Sequence, residues 1–102
     1  MAKGQVKIGT YTGTGAAITL ALGFVPDYFR AVNITDGDIT HEWFLGMSAG
    51  TSVDTAAAVT GNADNGVTAF DGTAGATAAG LTLGTDLSES AKVYRYIAIG
   101  GQ

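Results

Sequence analysis

Cysteine is absent from the 102 residues, so neither disulfides nor thiolate metal sites stabilise the chain, and nothing points to an oxidising compartment. Noncovalent packing must carry the fold. Proline occurs once, at Pro26, and charged residues make up only 14% of the chain, too few for the charged outer faces of solvent-exposed helices. Basic residues number five against nine acidic ones, a formal charge of −4, and no Lys/Arg cluster offers a stripe for phosphates. Nucleic acid is therefore not an expected partner. No stretch approaches the ~18 apolar residues of a membrane-spanning helix, and the segment from Met1 to Gln5 lacks the apolar run of a secretory leader. The expectation is a soluble protein made in the cytoplasm, with no membrane partner.

What the chain has instead is glycine, sixteen residues of it, within a composition that is 46% hydrophobic. Many tight turns joining short strands follow from that mixture. A chain this short makes one domain, residues 1–102, burying roughly 60–65% of its unfolded surface. Such a core is small, and oligomerisation would enlarge it. The fold class expected is all-β, an antiparallel sandwich or jelly-roll-like domain of about seven or eight strands. No helical periodicity extends beyond a short turn at Asp86 to Ser90, and there are no internal repeats.

Two period-two runs, Val6 to Gly9 and Ile18 to Leu22, flank a glycine-rich turn and predict a hairpin. A two-residue loop would set Ile8 opposite Thr19 and send apolar groups to conflicting faces. A three-residue loop over Gly13, Thr14 and Gly15 instead pairs Thr10 with Ile18, Ile8 with Leu20 and Val6 with Leu22, with a glycine at positive φ. Gly23 to Pro26 reads as a corner, because Pro26 has no donor for a central strand. Beyond it, Tyr28 to Thr35 and Asp38 to Met47 flank Asp36-Gly37, a strong two-residue hairpin signal. That turn pairs Ile34 with Ile39, Val32 with His41, Arg30 with Trp43 and Tyr28 with Leu45 on the expected core face, and lays Arg30 across the Trp43 ring.

Residues 47–79 shift to Ala, Gly, Thr, Ser and Asp, with turn signals at Asp64 to Gly66 and at Asp71-Gly72. Val53 to Thr60 reads either as a strand or as an ordered loop, and Val67 to Phe70 as a short strand. Small side chains bury little area, so this stretch is expected to be ordered by a neighbour. Leu81 to Leu83 and Val93 to Ile99 are strands. The second carries apolar or aromatic groups on both faces, Val93, Ile97 and Ile99 against Tyr94, Tyr96 and Ala98, as a central or interface strand does.

Candidate chemistry is sparse. Gly13-Thr14-Gly15 lacks the third glycine and the following helix of a dinucleotide fingerprint. His41 has no Ser, Cys or second His at a recognisable catalytic spacing and reads as a structural histidine. Asp36 and Asp38 bracket Gly37, but without the distant glutamate of a calcium loop turn chemistry explains both. No catalytic residue, cofactor or metal site is expected, and Asn33-Ile34-Thr35 is a chance glycosylation sequon. Trp43, Tyr28, Tyr94 and Tyr96 are the candidates for an aromatic platform.

The segments Gly9 to Phe29 and Gly80 to Gly100 also carry a resemblance. The pattern G-x-Y-T-G-x-G, an alternating strand, L-G-F-x-P, then G-x-x-L-G-T-D and Y-x-Y-I-A is similar to short β-rich virion proteins of tailed bacteriophages, nearest their capsid decoration, or cement, proteins. Met47 to Ala79 lies outside it, and its motifs are turns and strands, not catalytic signatures. The resemblance implies a protein on the outer surface of the assembled head, commonly a homotrimer, that clamps neighbouring major capsid subunits. Assembly contacts are expected in the N-terminal arm 1–5 and just after it (Met1, Ala2, Lys3, Gln5, Val6), in the small-residue stretch (Thr51, Val53, Val59) and on the aromatic strand (Tyr94, Tyr96). The alternative is a host-recognition module of a tail or head fibre that binds a glycan through its aromatic residues.

Overall fold

The computed structural model describes residues 5–37, 39–56, 59–72 and 78–100, with backbone alone at 59–60 and 62–64. The chain is all-β. Its strands are β1 (Gln5–Thr12), β2 (Ile18–Ala21), β3 (Tyr28–Asn33), β4 (Thr40–Phe44), β5 (Thr51–Thr55), β6 (Val59–Phe70), β7 (Gly80–Leu83) and β8 (Val93–Gly100), with one short 3-10 turn at Thr85–Leu87. All pairings are antiparallel, and they join the strands into one sheet of order β1-β8-β3-β4-β5-β6-β7-β2.

Phe29, Ala31, Trp43, Tyr94, Tyr96 and Ala98 from one half of this sheet share a single core with Val67, Leu81 and Leu83 from the other. The sheet therefore curls so that one face of both halves is enclosed, and Leu22, Phe24 and Leu87 plug it from the connections. The expected antiparallel β-domain is thus built from one continuous sheet. The bend has a local cause. β5 pairs with the first part of β6 and β7 with the last part, and the β5–β6 register shifts between Thr51 and Ser52. Gly66 lies at this irregularity, where any Cβ would come within 2.5 Å of the Thr51 carbonyl carbon.

Three sequence expectations are corrected. β1 and β2 do not form a hairpin: they are the opposite edges of the sheet, β1 against β8 (Val6 opposite Ile99, Ile8 opposite Ile97) and β2 against β7 (Leu20 opposite Leu81). The glycine turn does bend the chain, with Gly15 at φ 83°, but Gly13 and Gly15 donate to Lys92 and Ser88 carbonyls, so the chain crosses the end of the fold. Next, β3 and β4 are neighbours, yet their register is one residue from the expected one: Phe29 faces Trp43, Arg30 faces Glu42 and Ala31 faces His41. Asn33 Oδ1 accepts from the amides of Thr35 and Asp36, and Gly37 N donates to Asn33 O, which makes a longer loop than a two-residue turn. Because strand faces alternate, that single step turns Phe29, Ala31 and Asn33 inward and Arg30 outward, away from Trp43. Finally, the small-residue middle 47–79, expected to be loop-rich apart from candidate strands at Val53 to Thr60 and Val67 to Phe70, holds β5 and the twelve-residue β6.

Candidate functional site

Period-two geometry gives the β1-β8-β3-β4 half two contrasting faces. The inner one is aromatic. The rings of Tyr11 and Tyr94 stack with centroids 4.9 Å apart and planes within 2°, and Phe29 lies 5.8 Å from Tyr96. Gly9 stands opposite Tyr96, and the tyrosine ring covers it so closely that a Cβ there would meet the hydroxyl at 2.8 Å. Tyr11 donates its hydroxyl to the Leu87 carbonyl at 2.8 Å. Burial, with the neighbouring Tyr94 adding to it, raises the Tyr11 pKa far above its ordinary value.

Among the described residues nothing covers the outer face. Reading across the register, one row runs Val6, Ile99, Tyr28, Phe44, the next Ile8, Ile97, Arg30, Glu42, and a third Thr10, Arg95, Val32, Thr40. Val6 and Ile8 are each 62% exposed and Phe44 51%. Tyr28 and Phe44 pack ring against ring at 5.1 Å, and the Tyr28 hydroxyl donates to Glu42 at 2.7 Å. The Tyr28 pKa is pushed up to about 12, by burial first, then by the hydrogen bond to Glu42 and its charge, against an opposing pull from Arg30. Arg30, Val32, Arg95 and Ile97 line a shallow depression of about 300 Å³. Both arginines are exposed, and neither forms an ion pair among the described residues.

A second polar group lies inside. His41 Nδ1 is 2.7 Å from Asp54 Oδ1, and Ser52 Oγ donates to the same oxygen at 2.8 Å. The residue types are those of a hydrolytic triad, but the order is not. A nucleophilic serine needs the far nitrogen of the imidazole, whereas Ser52 sits on the carboxylate side. His41 Nε2 is buried with no hydrogen-bond partner among the described residues, in a side chain only 1% exposed. The group has the geometry of a structural tie between β4 and β5, in keeping with the structural reading of His41. Asp36, considered for calcium, accepts from Asn33 Nδ2 and pairs with Lys92 at 3.1 Å, and Asp38 lies outside the described residues.

The expected contact residues divide. Met1, Ala2 and Lys3 lie outside the described residues, as does the Val59 side chain. Gln5 and Val6 are exposed on the edge strand β1, and Thr51 and Val53 are half-buried on β5, with Val53 opposite Glu42 and so next to the outer face. Tyr94 and Tyr96 are corrected: they are 0% and 8% exposed and belong to the core of the chain itself. The side of β8 turned outward is Val93, Arg95, Ile97 and Ile99. Trp43, also buried, leaves Tyr28 as the one member of the expected aromatic platform on the surface. The residues missed by sequence reasoning are Ile8, Phe44, Arg30 and Arg95. The alternation of β8 carried the signal for this face, but both of its faces are apolar. Comparison with protein-family models, curated proteins and solved structures gives no match to this chain.

Proposed function

We propose that the chain is a structural assembly module, a capsid decoration protein that docks on the outside of a phage head as a homotrimer and bridges neighbouring major capsid subunits. One observation supports an assembly role above others: an outer sheet face with Val6, Ile8, Ile99 and Phe44 in the open, in a chain whose largest aromatic residues are otherwise enclosed. Isolated exposed apolar residues are ordinary, but a group of them spread over β1, β8 and β4 on one face marks a surface made to be covered. The head, as the thing covered, comes from the sequence resemblance. The low charge content of the chain, 14%, suits close packing against another protein, and the net charge of −4 disfavours DNA. A site shared between capsid subunits exists only after assembly, and trimer symmetry multiplies weak contacts through effective concentration.

The test adds purified protein to expanded, undecorated heads and, separately, to free capsid protein, following co-sedimentation and heat-induced DNA release. Binding to heads alone, with delayed release, is the expected result. A protein that sits only at the tail, or coats heads without delaying release, sinks the proposal. The glycan-binding alternative has lost the platform it relied on, since Trp43, Tyr94 and Tyr96 are interior.

A further inference from the structure

We propose that Asp71-Gly72, just past the end of β6, is a self-modifying site of the folded chain, where the Gly72 amide closes on the Asp71 carboxyl to a succinimide that water opens to isoaspartate. The fold meanwhile protects Asn65-Gly66, the pair that an unfolded chain would convert first. The reaction needs only water and no partner.

Aspartate or asparagine precedes glycine at three places, Asp36-Gly37, Asn65-Gly66 and Asp71-Gly72. At each, the glycine nitrogen can attack Cγ of the residue before it. The N–Cγ bond forms, the bond from Cγ to its leaving group breaks, and the amide proton departs with that group, as water from aspartic acid or ammonia from asparagine. Water then adds to one of the two imide carbonyls. Addition at the main-chain carbonyl breaks its bond to the glycine nitrogen and leaves the chain running through Cβ and Cγ, which is isoaspartate; addition at Cγ gives aspartate. Glycine favours closure because no Cβ crowds the attacking nitrogen. Ammonia leaves more readily than water from a carboxyl group, so in a flexible chain Asn-Gly outpaces Asp-Gly.

The structure reverses that order. Closure requires the glycine amide to be free and the main chain to rotate until nitrogen and Cγ approach to ~3–3.5 Å. Gly66 is buried, its N–H donates to the Gly50 carbonyl at 2.9 Å, and its own carbonyl accepts from Gly84 N at 2.7 Å. Gly84 packs against the Asn65 carbonyl too closely for any side chain, so this peptide cannot turn without parting from both neighbours. Gly37 N donates to the Asn33 carbonyl at 2.9 Å, and the Asp36 carboxylate is held by Asn33 Nδ2 at 3.2 Å and Lys92 Nζ at 3.1 Å. Asp71 differs on each count. It is exposed and follows the last residue of β6, and among the described residues neither its carboxylate nor the Gly72 amide makes a hydrogen bond. Gly72 stands at φ 91°, outside any strand. Rotation there breaks no sheet pairing, so the reactive geometry is reached by local motion alone. The added backbone atom falls beyond the Phe70–Gly80 pair that ends the β6–β7 ladder, which leaves the sheet intact.

The experiment holds the purified chain for weeks at mildly acidic and at neutral pH, folded and, in parallel, in concentrated urea. Succinimide and isoaspartate are located by electron-transfer mass spectrometry of its peptides, and by resistance to a protease that cuts before aspartate but not before isoaspartate. In the folded chain, position 71 should convert about tenfold faster than positions 36 and 65, and in urea Asn65 should overtake it. Asp71→Ser should abolish the folded-state signal, and Asp71→Asn should speed it, with circular dichroism confirming that both variants fold. The comparison of the three positions uses wild type alone and stands even if a variant does not fold. Asn65 converting first in the folded chain, Asp71 converting no faster than Asp36, or an order unchanged by urea overturns the proposal.

Discussion

Replacing Tyr11 by phenylalanine gives a stability difference that changes sign with pH. At neutral pH the variant loses the hydrogen bond to the Leu87 carbonyl and keeps the ring stack on Tyr94, a cost of about 1–1.5 kcal/mol. The Tyr11 pKa is raised in the folded protein, so its contribution is complete below the unfolded value of about 10 and is lost as pH climbs toward the folded value. In that window the unfolded chain ionises and the folded one does not, costing wild type ~0.4 kcal/mol at about pH 10 and ~1.4 kcal/mol at about pH 11. Phenylalanine has no such loss. The two stability curves therefore converge above about pH 9 and cross near pH 11, while terms shared by both proteins, the raised Tyr28 among them, cancel in the difference. Urea unfolding followed by circular dichroism at half-unit steps from about pH 7 to 11.5 reads it directly. Curves that stay parallel across the range would refute a buried, hydrogen-bonded Tyr11.

Gly13→Ala should destabilise by more than about 3 kcal/mol, because its Cβ would run into the Glu89 carbonyl oxygen and lie 2.5 Å from the Ser88 carbonyl carbon, backbone that cannot swing aside; chemical denaturation checks it. Gly37 sits at φ 67° with open space around it, so Gly37→Val should cost about 1–2 kcal/mol through strain alone and Gly37→Asn much less; equal thermal midpoints would mean the loop is misassigned. Asp54→Ala removes the acceptor of both His41 and Ser52 inside the fold and should cost about 2–4 kcal/mol by urea titration. Tyr94→Ala should cost ~3–5 kcal/mol as a core cavity, a loss seen in the monomer at high dilution as well as in any oligomer.

Strand content was legible because it is written locally: β7 and β8 lie within a residue of their expected ends, and Pro26 does mark the corner before β3. Pairing was not. Two alternating runs around Gly13 to Gly15 are a good local description of a hairpin, and nothing local says that β1 belongs to β8 and β2 to β7. The β3 register failed for a smaller reason. Asn33 caps the loop with its side chain, and that one interaction outweighs the Asp36-Gly37 turn preference and moves each β3 residue to the other face. The same alternation decides the candidate site. Both faces of β8 are apolar, and only the packing of Tyr94 against Tyr11 and of Tyr96 against Phe29 selects which turns inward. The His41, Asp54 and Ser52 group escaped notice because Asp54 stands in a stretch of small residues whose strand character came only from pairing with β4 and β6.

The strand order also dictates how the chain can be born. β3 through β7 are consecutive neighbours and can zip together as each hairpin leaves the ribosome, and β2 finds its partner once β7 has emerged. β1 has no partner until β8 is complete, some eighty residues further along the chain, with Gln5 opposite Gly100 at the far end of the pairing. Until then the backbone donors and acceptors of β1 have no strand partner, while Val6 and Ile8 are open before and after pairing alike. A chain without β8 would leave β1 unattached and the flank of β3 bare, so this one strand joins an otherwise isolated edge to the rest of the sheet.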